Sequence, residues 1–242
     1  MAQKNTIEVC FSPALLPLYD VKDKIVVIID IFRATSTIVT ALAHGAKAVV
    51  PVASVEECIA LGRQVEGSLT AGERNGITAP GLDYGNSPLA FPESLIKGKQ
   101  LNLTTTNGTR LLHLVKEEAV EVIIGAFLNL SAVCDYLKKS NKDILLGCAS
   151  WKDRPNMEDC LFAGAVVHHL KNDFEVECDS AHITESMYRD ALTQSNLLEY
   201  LKVGSHYHRL MKHGLLEDLK FCTQVDLYPI LPVLDGEMLS VK

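Results

Sequence analysis

The chain of 242 residues is long enough to bury a sizeable core, and its 48% hydrophobic and 22% charged residues are typical of a globular protein in water. A formal net charge of −7 argues against nonspecific binding to nucleic acid, and no run of about 18 apolar residues could cross a membrane. Seven cysteines without a CxxC pair, behind an N-terminus that lacks a signal-peptide core, indicate reduced thiols and a cytoplasmic protein.

Apolar runs of strand length alternate along the chain with amphipathic helical segments, which predicts an α/β protein whose helices cover a largely buried sheet. The predicted strands are Ile7–Phe11, Ile25–Ile31, Ala48–Val52, Leu69–Gly72, Leu101–Thr105, Val122–Ala126, Ile144–Cys148 and Phe174–Cys178. The predicted helices are Ser36–Ala43, Val55–Val65, Thr109–Lys116, Ser131–Lys139, Glu158–Leu170, Ala181–Leu192 and Leu197–Leu210. Ser54, with Glu57 three residues later, predicts a capping box at the start of the second helix.

A polar stretch between a predicted strand and a predicted helix is the strongest local signal of a binding site. Hydroxyls, an amide, a glycine and a guanidinium follow one another there: Thr104, Thr105, Thr106, Asn107, Gly108, Thr109 and Arg110. The free N–H groups of such a strand-to-helix turn would face a ligand, which predicts an anion cradle. Thr, Asn and Gly are also ordinary residues of a capped helix start, so this stretch alone does not decide between the two interpretations.

A second hydroxyl-rich turn follows the β-branched run Val26–Ile29. Asp30, at the end of that strand, is placed to bind a metal or attack phosphorus, although it could equally cap a helix. Arg33, with Thr35 and Ser36 at a helix start, favours binding of a phosphate or sulfonate, because a guanidinium grips such oxyanions with two parallel bonds. Since ligands of open α/β sheets sit beyond the carboxyl ends of strands, we expect both turns to face one cleft.

The nonperiodic segment between about residues 71 and 99 is long for a connection inside a compact domain, which favours a functional loop. Glu73 offers a metal ligand and Arg74 an anion clamp, although the two could also form a surface ion pair. Asn86, with Ser87 and Pro88, is also a turn signal.

An acidic pair, Glu158 and Asp159, opens a very apolar predicted helix. Acidic residues are favoured in a first helical turn by the helix dipole, but magnesium also prefers a few carboxylates together with waters and substrate oxygens. Asp30, Glu73, Glu158 and Asp159 therefore form the pool of candidate Mg²⁺ ligands. His206 is a further candidate for contacting an anion.

The chain resembles the 2-phosphosulfolactate phosphatase family over nearly its whole length. The resemblance rests on segments in the same order: residues 30–37, 71–74, 85–88, 104–110 and 125–129, then Glu158, Asp159, Ser205, His206, Asp218, Phe221, Cys222, Pro232 and Val233. It implies an α/β/α architecture in which residues 1–242 form a single unit of two lobes, which meet near residues 120–130 with the active-site cleft between them. One departure is the bulky, charged segment Ser150–Pro155, which stands where the family usually has a glycine-rich turn.

The resemblance implies a magnesium-dependent phosphatase that converts (2R)-phosphosulfolactate to sulfolactate and phosphate, a reaction associated with coenzyme M biosynthesis. The implied roles are catalysis by Asp30, Arg33 and Glu73, metal binding by Asp30, Glu158 and Asp159, and substrate binding by Thr35, Ser36, Arg74, Asn86, Thr105, Thr106, Asn107, Gly108, Arg110 and His206. Either a metal-activated water or Asp30 itself would attack phosphorus, and the absence of an Asp-x-Asp pair favours water. A phosphatase for another small phosphorylated acid and a noncatalytic anion-binding protein are the alternatives. The expected partner is a small anionic substrate, and a homo-oligomer is left open.

Overall fold

The computed structural model describes residues 4–105 and 107–242. The strands are β1 (Ile7–Cys10), β2 (Ile25–Ile29), β3 (Ala48–Pro51), β4 (Leu69–Arg74), β5 (Ile77–Thr78), β6 (Gln100–Thr104), β7 (Glu121–Gly125), β8 (Ile144–Cys148), β9 (Pro232–Asp235) and β10 (Met238–Val241). The α-helices are α1 (Ala34–Ala43), α2 (Val55–Gln64), α3 (Glu93–Ile96), α4 (Gly108–Val115), α5 (Leu130–Ser140), α6 (Met157–Leu170), α7 (Asp179–Ala191), α8 (Leu197–Leu201), α9 (Ser205–Met211) and α10 (Leu216–Cys222).

One mixed sheet runs through the molecule in the order β1-β8-β2-β7-β9-β10-β3-β6-β4-β5, with helices on both sides. It contains two parallel groups, β1-β8-β2-β7 and β3-β6-β4, and the antiparallel hairpin β9–β10 joins them. The predicted α/β class is confirmed. The predicted division into two lobes near residues 120–130 is not confirmed, because β1 and β2 lie in the same parallel group as β7 and β8.

The two parallel groups run in opposite directions, since β7 and β9, β9 and β10, and β10 and β3 are each antiparallel pairs. Neighbouring strands of a sheet are twisted relative to each other by roughly 20–25°. Five such neighbouring pairs separate β2 from β6, and the accumulated twist turns the carboxyl end of β6 toward the carboxyl end of β2. Helix α4, which follows β6, accordingly packs against β2 of the other group. This crossing brings the turn before α4 to the end of β2.

Strand β2 and helix α6 are almost completely buried. Every residue of Ile25–Ile29 is buried, as the continuous β-branched run predicts for a central strand covered on both faces. In α6, Phe162 packs edge-on against Phe127 with ring centroids 5.4 Å apart. Gly164 lets α6 approach α7 closely, because a methyl group at this position would lie 1.9 Å from the carbonyl oxygen of Thr184. No helix of the described ranges is long and apolar enough to cross a membrane.

Some local predictions were wrong. The predicted strand Phe174–Cys178 is irregular and has a single bridge, between Glu175 and Thr6. The predicted helix Leu197–Leu210 is two helices, α8 and α9, separated at Gly204. The capping box is half confirmed, since Ser54 Oγ accepts from Glu57 N–H at 3.0 Å whereas the Glu57 carboxylate accepts from Ala53 N–H.

Candidate active site

A cavity of about 230 Å³ opens where the turns after β2, β4 and β6 meet. It is lined by Asp30, Phe32, Arg33, Glu73, Asn75, Gly76, Asn86, Thr105, Asn107, Trp151, His206, Arg209, Leu210, Lys212 and His213. Acidic, amide, hydroxyl and basic side chains thus share one small volume. The predicted meeting of the Asp30 turn and the Thr105 turn at one cleft is confirmed.

Asp30 follows β2 and is 8% exposed. Its turn is closed by two hydrogen bonds, since Thr35 N–H donates to the Asp30 carbonyl at 2.9 Å and Asp30 N–H donates to Thr35 Oγ1 at 3.2 Å. Burial raises the pKa of Asp30 to about 6, and the negative charges of Glu73 and Glu158 add to this rise while His206 opposes it. A carboxylate in this position is a strong ligand for any group that supplies positive charge.

Asp159 fixes the turn that contains Asp30. Its Oδ1 accepts from Ile31 N–H at 2.9 Å, and its Oδ2 accepts from Ser150 N–H at 3.3 Å and Asn156 Nδ2 at 3.5 Å. Burial, helped by the charges of Glu158 and Asp30, raises the pKa of Asp159 well above its ordinary value. With both oxygens engaged, Asp159 links the loop after β8 to the turn after β2.

Glu158 and His206 form a second buried pair. Glu158 Oε1 accepts from His206 Nδ1 at 2.5 Å, and the two side chains are 2% and 13% exposed. The edge of the Phe32 ring meets the His206 ring at a centroid distance of 6.1 Å. A histidine that donates its Nδ1 proton to a carboxylate has a fixed ring orientation, with Nε2 left as its other functional atom.

Arg33 is held by a buried ion pair at the cavity wall. Its Nη1 contacts Asp218 Oδ2 at 2.5 Å, and its Nη2 donates to the Gly76 carbonyl at 3.3 Å. Ser87 Oγ donates to the other oxygen of Asp218 at 2.8 Å. Asp218, which lies on α10, therefore fixes the guanidinium and neutralises its charge.

The turn after β6 supplies neutral polar groups and a close backbone approach. Thr105 is 4% exposed, and its Oγ1 accepts from Thr109 N–H at 3.3 Å in the first turn of α4. A methyl group at Gly108 would lie only 2.8 Å from Asp30 Oδ2. Asn86, 3% exposed, brings a side-chain Oδ1 that has no hydrogen-bond partner among the described residues. A buried amide without a partner in a polar cavity is a group that a ligand can satisfy.

Known proteins are similar in sequence to this chain over nearly its full length. Residues 10–237 match the model of the family described as 2-phosphosulpholactate phosphatase. A protein of Caldanaerobacter subterraneus subsp. tengcongensis is 45% identical over 219 residues, which cover 89% of each chain. A protein of Thermotoga maritima is 44% identical over 229 residues, 94% of this chain and 96% of the relative. Both relatives are named probable 2-phosphosulfolactate phosphatase.

This chain belongs to the 2-phosphosulfolactate phosphatase family. A more distant relative with the same name, from Synechocystis sp., is 39% identical over 232 residues, 93% of this chain and 95% of the relative. The predicted family is thereby confirmed, and the match includes the strands, turns and helices that build the cavity.

In this 2-phosphosulfolactate phosphatase family member, about half of the predicted site residues line the cavity. They are Asp30, Arg33, Glu73, Asn86, Thr105, Asn107 and His206. Thr35 and Ser36 lie behind it with their hydroxyls engaged locally, since Ser36 Oγ donates to the Ile31 carbonyl at 2.9 Å. Gly108 contributes closeness to Asp30 rather than a ligand group, and the predicted binding residue Thr106 lies outside the described residues.

Two predicted arginines lie away from the cavity wall. Arg74 donates from Nη1 to the Glu73 carbonyl at 2.7 Å and from Nη2 to Thr104 Oγ1 at 3.3 Å. Arg110 is half exposed and pairs with Asp153 Oδ1 at 2.9 Å. Neither guanidinium is among the cavity-lining groups, so the structure does not bring them to the ligand position that the sequence pattern predicted.

The predicted metal ligands do not form one group in the described part of the structure. Among the described residues, no group of three or more His, Cys, Asp or Glu side chains is arranged to hold a metal ion, and Asp30, Glu158 and Asp159 do not form one. The carboxylates that do line the cavity are Asp30 and Glu73, whose charges act on each other. This pair fits magnesium, which uses one or two protein carboxylates and completes its octahedral coordination with waters and phosphate oxygens.

Several cavity residues were not predicted. Arg209 follows His206 by one turn of α9, whereas Lys212 and His213 lie just beyond the end of that helix at Met211. The three-residue spacing from His206 is the one sequence signal that pointed to Arg209. Trp151, noted only as a departure from the family, also lines the cavity.

Proposed function

We propose that this protein hydrolyses (2R)-2-phospho-3-sulfolactate to (2R)-3-sulfolactate and phosphate with the help of Mg²⁺. The observation that carries the proposal is the buried Asp30 carboxylate, which shares a small cavity with Glu73 and the polar turn before α4 in a chain of this family. Phosphate monoesters are very inert, so catalysis must supply on the order of 20 kcal/mol, chiefly through positioning and neutralisation of charge.

The phosphate end of the substrate belongs at Asp30 and Glu73. Two carboxylates would repel a phosphate dianion, so a divalent cation held by these residues would be needed for phosphate to bind. Magnesium held by Asp30 and Glu73 would neutralise phosphate charge and polarise the bond to be broken. We assign Asp30 to metal binding rather than to nucleophilic attack, because residue 32 is Phe and no second carboxylate completes an Asp-x-Asp pair.

Neutral donors complete the phosphate site. Asn107 and the Thr105 turn line the cavity beside Asp30, and α4 starts next to them at Gly108. The side-chain amides and hydroxyl can hold the phosphate oxygens as charge moves toward the leaving group. Because Gly108 approaches Asp30 so closely, these donors and the carboxylate act on the same phosphate.

His206 is positioned for proton transfer. Glu158 fixes its ring through Nδ1, so Nε2 can exchange a proton with the water that attacks phosphorus or with the departing C2 oxygen. Water supplies the oxygen that becomes part of phosphate. One of its protons ends on the C2 oxygen, which becomes the hydroxyl of sulfolactate, and the other stays on the released phosphate. We infer that the Glu158–His206 pair performs acid–base work rather than metal binding.

We further propose that the reaction takes place in the cytoplasm, as a step of coenzyme M biosynthesis. Support for a reducing compartment comes from the seven cysteines, all of which are free thiols in the structure.

Phosphate release from 2-phosphosulfolactate tests the function. We expect release that requires added Mg²⁺, is abolished by a chelator and returns when Mg²⁺ is restored in excess. Sulfolactate should appear in equal amount to phosphate. Binding of 2-phosphosulfolactate without phosphate release at any Mg²⁺ concentration would overturn the proposal in favour of a noncatalytic anion-binding protein.

A further inference from the structure

Arg209 differs from the other cavity arginine, Arg33, in having donors that are not used. Its Nη1 donates to Ser205 Oγ at 3.2 Å, while its Nη2 is buried and has no hydrogen-bond partner among the described residues. The described carboxylates include none within 4.0 Å of Arg209, whereas Arg33 is neutralised by Asp218. A buried guanidinium nitrogen without a partner is costly, so Nη2 is a cationic donor that an anion bound in the cavity would satisfy.

The Trp151 ring orients this guanidinium. Arg209 Cζ lies 4.0 Å from the ring centroid, close enough for a cation–π contact. The Trp151 backbone is fixed in turn, because its N–H and C=O pair with those of Arg154 at 2.9 and 3.0 Å and the adjacent Ser150 N–H donates to Asp159. The same carboxylate that holds the Asp30 turn therefore also holds the Trp151 wall. Both sides of the cavity are set relative to each other before a ligand arrives.

The chemistry of the substrate suggests which anion reaches Arg209. The carboxylate carbon is attached directly to C2, which bears the phosphate, whereas the sulfonate is attached one carbon further away, at C3. With phosphate at Asp30 and Glu73, the sulfonate is the charged group with the longer reach across the cavity toward Arg209. A sulfonate is permanently ionised and weakly hydrated, which matches a stacked guanidinium better than a compact ammonium ion.

We propose that Arg209, held on the Trp151 ring, binds the substrate sulfonate and sets the preference for sulfonated phosphate esters. The inference rests on the proposed function for the orientation of the substrate. It adds a specificity-determining residue and gives a role to the bulky segment Ser150–Pro155, which stands out in the sequence.

Paired substrates test the proposal. 2-Phospholactate keeps the phosphate and carboxylate of 2-phosphosulfolactate but lacks the sulfonate. For Arg209→Met we expect kcat/KM for 2-phosphosulfolactate to fall roughly 10- to 150-fold, the value of one charged hydrogen bond, while kcat/KM for 2-phospholactate stays within about twofold. Arg209→Lys should restore only part of the loss. Arg63→Met, which removes an exposed arginine charge on α2 away from the cavity, is the matched control and should leave both substrates unaffected.

Equal losses on both substrates would overturn the proposal, because Arg209 would then contact a group that both share or support the fold generally. Calorimetric binding of 3-sulfolactate and of lactate keeps the test separate from turnover. Loss of the preference for 3-sulfolactate in Arg209→Met supports the sulfonate site even if the wild type releases no phosphate, a result that would sink only the proposed catalysis. An unchanged preference would overturn the sulfonate site even if the wild type is a competent phosphatase.

Discussion

Substitution of Gly108 by Ala would place a methyl group against the carboxylate on which the proposed chemistry depends. The new Cβ would lie 2.8 Å from Asp30 Oδ2, 3.4 Å from Asp30 Cβ and 3.0 Å from Ala34 Cβ. Ordinary contact distances require the Asp30 oxygen to move by about half an ångström. Asp30 is on a short side chain whose backbone is fixed by Thr35, so the carboxylate must rotate out of its present position.

The effects on stability and on turnover should separate. Overpacking costs roughly 1–3 kcal/mol, while replacing glycine by alanine at a helix start recovers up to about 1 kcal/mol, so the free energy of unfolding should fall by at most about 3 kcal/mol. Misplacement of a reacting group by about 1 Å costs on the order of 100-fold in rate. We therefore expect kcat for 2-phosphosulfolactate to fall between about 10- and 100-fold in a folded Gly108→Ala variant.

Steady-state phosphate release and urea unfolding of the same preparation measure the two effects. The double variant Gly108→Ala with Ala34→Gly removes the contact between the two Cβ atoms but keeps the contact with Asp30. If displacement of Asp30 lowers kcat, the double variant stays slow, and if the clash between α4 and α1 is responsible, its kcat recovers. Wild-type kcat in folded Gly108→Ala would refute the assignment of Asp30 to the reaction centre.

Three further outcomes are expected. Asp30→Asn should lower turnover more than about 1000-fold, and near-normal turnover would show that another carboxylate is essential. In chelator at pH 8 the same substitution should raise the free energy of unfolding by about 1–3 kcal/mol. The reason is that a carboxyl whose folded pKa is raised to about 6 destabilises the fold when it is ionised above that pH. Gly164→Ala should destabilise the protein by about 3 kcal/mol or more in urea unfolding, since its methyl group meets the Thr184 backbone at 1.9 Å, and an unchanged midpoint would contradict this packing. Burial raises the pKa of Glu185, but hydrogen bonds from His168 and Lys171 lower this pKa to about 2. The ionised Glu185 therefore stabilises the fold above the usual pKa of 4.5, and this contribution is lost as the pH falls to about 2. Glu185→Gln should cost about 1 kcal/mol at pH 7 after allowance for solvent screening and nothing near pH 2, and an equal loss at both pH values would exclude the charge effect.

Short sequence patterns predicted the core elements because the burial of each element is reflected in its own stretch of sequence. The β-branched run of β2 and the nearly continuous apolar sequence of α6 reflect burial on both faces of an element, which a short window of sequence contains. The hairpin β9–β10 was missed because its role depends on pairing with β7 and β3, which are distant in sequence. The segment Phe174–Cys178 has the apolar content of a strand, but only Glu175 finds a strand-like partner.

The site was predictable where strand ends carry it. Asp30 and the Thr105 turn follow buried strands directly, and the carboxyl ends of strands are where such folds place ligands. Arg74 follows Glu73 in the same strand, and successive side chains of a strand point to opposite faces, so both could not face the cavity. Arg209 was missed because its importance comes from tertiary contact with Trp151, 58 positions earlier in the printed sequence.

The C-terminal hairpin has a consequence for how the chain is made. Its strands, β9 and β10, follow all other strands of the described sheet in chain order, and they alone connect the two parallel groups within it. Until residues 232–241 are available, β7 and β3 are open edges that can template pairing with another nascent chain. Pairing of β9 and β10 with β7 and β3 thus covers these two edges and joins the two parallel groups into one sheet. We expect a chain truncated just before Pro232 to aggregate rather than to form a smaller enzyme.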